Sequence, residues 1–230
     1  MIAPAAYVVS TGARTPLGLR AAPSAAALRA GIVRISEHPL LLNRLGEPLL
    51  GGRDARLDPA LMGPERLISL ATTALHEACV PVSSYAPDLG HRVPLYLGLP
   101  EARPGFSEQD VLRVRRGVEK IEGLPLALSD VTVFPLGHAA GMAALQAAIR
   151  SISRGECDSC IVGGVDSYFH PHTVEWYDKH RQLVAADTRS AFVPGEGAGF
   201  FSLVSERIHR RLSGSPWRVC SWSPRPSRAR

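Results

Sequence analysis

The sequence has no stretch of apolar residues long enough to cross a bilayer: the longest, around residues 134–149, is interrupted and short. Its N-terminus, MIAPAAYVVSTG, carries neither the positive flank nor the long apolar segment of a secretory signal. These two absences lead to an expectation of a cytoplasmic protein with no membrane partner. Cysteine is sparse, four residues (Cys79, Cys157, Cys160 and Cys220) scattered over 230, which argues for reduced thiols and against a disulfide framework. No internal repeat is present. Acidic residues are missing altogether from residues 207–230, which hold seven arginines, so the net charge of +5 leaves −2 for everything before them. The body is therefore nearly neutral, and no nucleic-acid-binding role is expected of it.

What is present fits a globular chain. Hydrophobic residues make up 45% and charged residues 20%, and 230 residues suffice for one α/β domain or for half of a larger two-domain fold. AYVVS (6–10) predicts a short strand, TGARTPLG a Gly/Pro turn, and PSAAALRAG a helix closed by Gly31. Residues 38–60, rich in Pro, Gly and Arg, predict loop with short elements. Helices are expected over 64–78, with Pro64 at the start, and over 107–121, with Ser107 at the N-cap. Strands are expected at VPLYLGL (93–99), VTVF (131–134) and CIVGGVDS (160–167). A helical pattern covers 173–183, and a glycine turn and strand follow in ADTRSAFVPGEGAGFFSLV. Strands alternating with helices argue for a mostly parallel sheet covered on both faces. After Glu206, SGSPWRVCSWSPRPSRAR has no apolar periodicity, so the expected boundaries are a domain over 1–206 and a disordered tail over 207–230.

LGHAAGMAAL (136–145) raises the chemical question. From His138 to Ile149 only Gln146 is otherwise polar, which predicts a central helix buried between layers. The strand, tight turn and helix form an elbow that presents one side chain at a helix N-terminus. A cysteine there would have its thiolate stabilised by the helix end, the usual activation of a thioester-forming nucleophile. His138 is the residue found.

Three motifs in order, STGARTPLG (10–18), LGHAAGMAALQAAIRSISRGECDSCIVGGVDS (136–167) and AFVPGEGAGFFSLVSE (191–206), together resemble the N-terminal half of the β-ketoacyl synthases of the thiolase superfamily. The resemblance implies a thiolase-like α/β half-fold with a mixed, mostly parallel sheet covered by helices. It also implies an acyl thioester delivered by acyl carrier protein or acyl-CoA, assembly as a homodimer or heterodimer, and neither cofactor nor metal. The family chemistry is acyl transfer followed by decarboxylating condensation. The elbow pattern of the family, Cys-Ala-x-Gly, here reads His138-Ala139-Ala140-Gly141. An acyl-imidazole hydrolyses readily, whereas condensation needs a long-lived acyl intermediate, so no condensing activity is expected. Family members also carry a second half that supplies two histidines. This sequence changes character at Glu206 instead, which reads as truncation or a shifted frame. The expectation is a degenerate or truncated member of the family; the alternative is a non-catalytic partner that docks onto a ketosynthase-like protein.

Other motifs invite sharper readings and receive plainer ones. Cys157-x-x-Cys160 precedes a strand, whereas redox pairs of this spacing open helices, and a zinc site would need two more ligands; free thiols beside a turn are the expectation. His170, His172, Asp178 and His180 could ligate a metal but read as a surface histidine group. GEGAG (195–199) leads into a strand and not a helix, so close glycine packing is a better account than a phosphate cradle. The arginine-rich tail reads as solvated, not as a nucleic-acid or membrane anchor.

Overall fold

The structure, a computed structural model, describes residues 6–85, 92–212 and 217–218. Its main sheet contains β1 (Ala6–Arg14), β4 (Arg92–Leu99), β5 (Ala127–Pro135), β6 (Ser159–Ser167), β7 (Glu196–Ser205) and β8 (Trp217–Arg218), in the order β5-β4-β6-β7-β1-β8. β4 pairs in parallel with both β5 and β6, while β7 runs antiparallel to β6 and to β1. Four of the five long strands therefore point one way and β7 runs against them. A separate two-stranded ribbon, β2 (Ser36–Leu42) and β3 (Pro48–Gly51), forms where loop with short elements was expected.

Alternation along the central strands feeds two cores. Leu95, Leu97, Ile161 and Val165 point to one face with Leu70, Ala74 and Leu75 of α2 (Gly63–Tyr85) and Val114 and Val118 of α3 (Glu108–Glu119). Cys160, Val162 and Leu203 point to the other, against Ala144, Ala148 and Ile152 of α4 (Ala140–Ser153). A third cluster, built on Leu41, Leu49, Phe169, Val174 and Leu183, seats the β2–β3 ribbon and α5 (Pro171–Lys179). Local signals account for the ends. Ser107 Oγ accepts the Asp110 amide while Asp110 accepts that of Ser107, closing a capping box on α3. α1 (Ala21–Arg29) ends just before Gly31, whose φ of +70° lies in the left-handed region.

The expectation of a fully buried central helix is corrected. α4 buries Ala140, Ala144, Ala148, Ser151 and Ile152 along one face, but Met142 on the other side is 69% exposed. α2 and α3 cover the opposite face of the sheet, so no second layer lies over α4 among the described residues. Secondary structure extends past residue 206. α6 (Glu206–His209) continues across it with Ile208 buried, and β8 pairs with Tyr7 and Val8. Residues 213–216 and 219–230, Cys220 among them, lie outside the described residues.

Candidate functional site

The C-terminal ends of the parallel strands β4 and β6 meet the start of α4. Gly98, Leu99, Gly137, Ala140, Gly141, Gly164, Val165, Asp166 and Gly197 line a shallow depression of about 250 Å³ there. Five of these nine residues are glycines, with no side chain to fill the space. A Cβ on Gly98 would lie 3.0 Å from the backbone of Ala140 and Gly141, and one on Gly163 would lie 2.1 Å from the Gly199 carbonyl oxygen. The first turn of α4 therefore rests directly on β4, and β6 lies directly on β7. Within GEGAG itself the tight position is Gly197, where a Cβ would lie 3.2 Å from the Arg14 carbonyl oxygen, whereas one on Gly195 or Gly199 would meet no close contact.

Gly137, at φ +55°, turns the chain from β5 into a short 3-10 turn, Gly137–Ala139, before α4. His138 sits in that turn. Its side chain is exposed, makes no hydrogen bond among the described residues and is not one of the groups lining the depression. Ala139, the N-cap of α4, offers no side-chain cap; the Ala139 and Ala140 amides instead donate to the Leu136 and Gly137 carbonyls, so the 3-10 turn runs straight into the helix, whose positive end lies beside the depression. The helix thus begins two residues later than the sequence pattern places it.

Asp166 is the carboxylate among the lining residues, and the exposed Glu101 lies against Gly137 at the edge. Asp166 receives Arg103 Nη2 at 2.5 Å, and the same nitrogen donates to the Ser167 carbonyl at 2.9 Å. The Arg103 guanidinium lies 4.6 Å from the centre of the Tyr168 ring. Burial pushes the Tyr168 phenol up to about 12, with Asp166 adding to the effect. The acid at the depression is therefore paired.

Behind the depression, Glu196 of GEGAG is held in a buried network. Arg66 Nε and Nη2 donate to its two oxygens at 2.5 and 2.7 Å; the Asp54 amide and the Ser167 hydroxyl add bonds of 2.7 and 2.8 Å. Four donors saturate this carboxylate, which makes it a structural anchor. Asp54, fully buried, pairs with Arg14 at 2.7 Å and with Arg56 at 2.9 Å. Burial opposes ionisation of Asp54, but the hydrogen bonds from Arg14 and the Arg56 amide and the two positive charges hold it below the usual carboxylate range. Sequence reasoning singled out none of these pairs. Arg66 and Glu196 are 130 positions apart, and no local periodicity links them.

The remaining candidates do not converge on the elbow. Cys160 is near the opposite end of β6 from Asp166. His170 caps α5 by accepting the His172 amide at 3.2 Å, Asp178 is buried and accepts the Arg44 amide, and His180 contacts the Trp176 carbonyl at 2.6 Å. Among the described residues no three His, Cys, Asp or Glu side chains are placed to hold a metal ion. No helix among them is long and apolar enough to cross a membrane.

Comparisons with known proteins agree with this geometry. Residues 137–207 match the family described as beta-ketoacyl synthase, N-terminal domain. Comparison with curated proteins gives no match. Among solved structures, the chain is similar to a type II PKS acyl-carrier protein in complex with its ketosynthase bound to the hexaketide: TM-score 0.68, 17% identity, covering 93% of this chain and 60% of that one. A ketosynthase in complex with its chain length factor from Xenorhabdus doucetiae gives TM-score 0.65 and 17% identity, over 88% and 58% of the two chains. The ketosynthase from module 6 of the bacillaene synthase of Bacillus subtilis 168 gives 0.60 and 16%, over 90% and 41%. The chain thus has the fold of a ketosynthase N-terminal half and spans roughly half the length of these structures. It resembles the β-ketoacyl synthases both in the motif region 137–207 and in fold.

Proposed function

We propose that this chain is a ketosynthase-like half-domain of fatty-acid or polyketide type that does not carry out condensation, with His138 in the place of the acyl-accepting cysteine. The observation that carries this reading is the elbow itself. A glycine-enforced turn places residue 138 immediately before α4 and its glycine-lined depression, and the side chain carried there is an exposed imidazole. An acyl group passed to that imidazole from a carrier-protein or CoA thioester would be lost to water before a second substrate could attack it.

The test is a variant that restores the thiol. Wild type incubated with radiolabelled acyl-CoA should retain no label after denaturation, whereas His138→Cys should retain label that alkylation of the new cysteine prevents. A β-ketoacyl product formed by the wild-type chain from acyl and malonyl thioesters would overturn the proposal.

A second reading is favoured by a different observation. α4 leaves Met142 at 69% and the preceding Leu136 at 50% exposure, and β5 is an edge strand of the main sheet. We infer that this face docks onto a ketosynthase-like protein as a homo- or heterodimer, the chain serving as a non-catalytic partner. The similarity to a ketosynthase solved with its chain length factor supports this reading.

A further inference from the structure

The turn between α4 and β6 brings two thiols together. Cys157 precedes β6 and Cys160 is its second residue, facing α4 beside Ala148 and Ile152. Cys157 is half-buried and Cys160 is 1% exposed; both are free. Cys157 packs against the cluster that holds Cys160, and Ser151 Oγ, in the last turn of α4, lies 3.4 Å from Cys157 Sγ. The pair is therefore set between a strand and a helix end, with Cys157 partly exposed and Cys160 buried in the cluster that Cys157 packs against.

We propose that Cys157 and Cys160 form a thiol modification site, in which a hydroperoxide oxidises Cys157 and Cys160 resolves the product to a disulfide. The Cys157 thiolate attacks one peroxide oxygen; the S–O bond forms, the O–O bond breaks, and hydroxide leaves as water after taking up a proton. Cys160 then attacks the sulfur of the Cys157 sulfenic acid. The S–S bond forms, the S–O bond breaks, and the Cys160 proton leaves with the oxygen as a second water. Two thiols are oxidised by two electrons and one peroxide is reduced to two waters.

The surroundings divide the roles. The Cys160 hydrogen bond, opposed by burial and aided by Ser151, draws the Cys157 thiol down to about 7 despite Asp158 and Glu156 nearby. Cys160 is pushed well above the usual thiol range, by its bond to Cys157 first and burial second. Tyr96 of β4 packs against the same cluster, and Arg207 pairs with Asp158, so the local carboxylate is partly neutralised. Cys79 is an internal control: it is buried, and burial alone raises it to about 12. The motif reads as inert in sequence because it precedes a strand. The tertiary structure supplies the stabilisation of the thiolate from the neighbouring thiol and a serine.

Peptide mapping decides the matter. The purified full chain is treated with equimolar hydrogen peroxide, blocked with N-ethylmaleimide and digested with trypsin. The peptide 155–179, which holds both cysteines, should be two hydrogens lighter and unalkylated, and reduction should restore both thiols. Without peroxide at neutral pH, Cys157 should be alkylated at least about tenfold faster than Cys79. In Cys160→Ser, oxidation should stop at a sulfenic acid on Cys157 that dimedone traps. Should that variant not fold, the wild-type map still decides. Peptide 155–179 remaining doubly alkylated after peroxide, or its cysteines joined instead to Cys79, Cys220 or a second chain, would overturn the proposal.

Discussion

At the scale of single residues, the buried polar groups set the conditions under which this chain is stable. His38, 3% exposed, accepts the Leu40 and Leu41 amides at Nδ1 at 3.2 and 3.1 Å, which fixes its proton on Nε2. A second proton would break those bonds. Burial, followed by the charges of Arg53 and Arg66, lowers its pKa from 6.5 to about 4, with Glu196 opposing. Because the folded value lies below the unfolded one, the unfolded chain binds the proton more readily. Stability is full above about pH 6.5 and falls as the pH approaches 4, by about 3 kcal/mol for this group. Urea midpoints measured between pH 7.5 and 4.5 should show that fall, and His38→Asn should flatten it; an equal slope in the variant would assign the effect elsewhere. His38 illustrates how much of the interior was hidden from the sequence. It reads there as one histidine in a loop-like region, and its burial follows from packing against Phe169, whose ring centre is 5.3 Å away although it is distant in sequence. His138, by contrast, is legible as a candidate because its turn and helix are contiguous, but whether its side chain enters the depression depends on how that turn is set against β4.

At the scale of elements, α4 shows where pattern reading succeeds and where it stops. Its existence follows from alanine-rich composition, and its alanines do let it lie close to the sheet: Ala144 and Ala148 are fully buried against β4 and β6. Its burial all round does not follow, because an apolar face reports that something can cover it, not that something does. The two faces should respond differently to substitution. Ala148→Leu adds methylenes where there is no room and should cost about 1–3 kcal/mol in urea denaturation. Met142→Asp, on the exposed face, should leave the midpoint within about 0.5 kcal/mol of wild type. A large loss for Met142→Asp in the isolated monomer would mean that this face is covered within the chain. Other elements were fully local in origin. The capping box at Ser107 and the turn at Gly31 are set by neighbouring residues, and both helix ends were readable from them. The β2–β3 ribbon was not, since its Pro- and Gly-rich sequence carries little alternation and its support comes from Phe169, Val174 and Leu183.

At the scale of the whole molecule, the open face of α4 and the β5 edge bear on how the chain assembles. If this face docks onto a ketosynthase-like protein, size-exclusion chromatography with light scattering should show concentration-dependent association, with itself or with a ketosynthase co-expressed as partner. Met142→Asp should weaken that association at least about tenfold while preserving the circular dichroism spectrum, since a charge buried in an apolar interface without a partner is costly. Unchanged association in the variant would remove α4 from the interface.

The sequence by itself determined the order of the main strands and helices, the half-fold they build and the elbow that presents His138, because these rest on contiguous periodicity, turn residues and motifs in a fixed order. Only the tertiary structure decided which groups are buried and which face is open. It paired Arg66 with Glu196 and Arg14 with Asp54, set Cys157 against Ser151, and left Met142 on one side of α4 exposed among the described residues. The physical reason is the same in each case. Burial and long-range pairing are properties of surfaces brought together across the sheet, and a one-dimensional pattern specifies which surfaces are apolar without specifying what meets them.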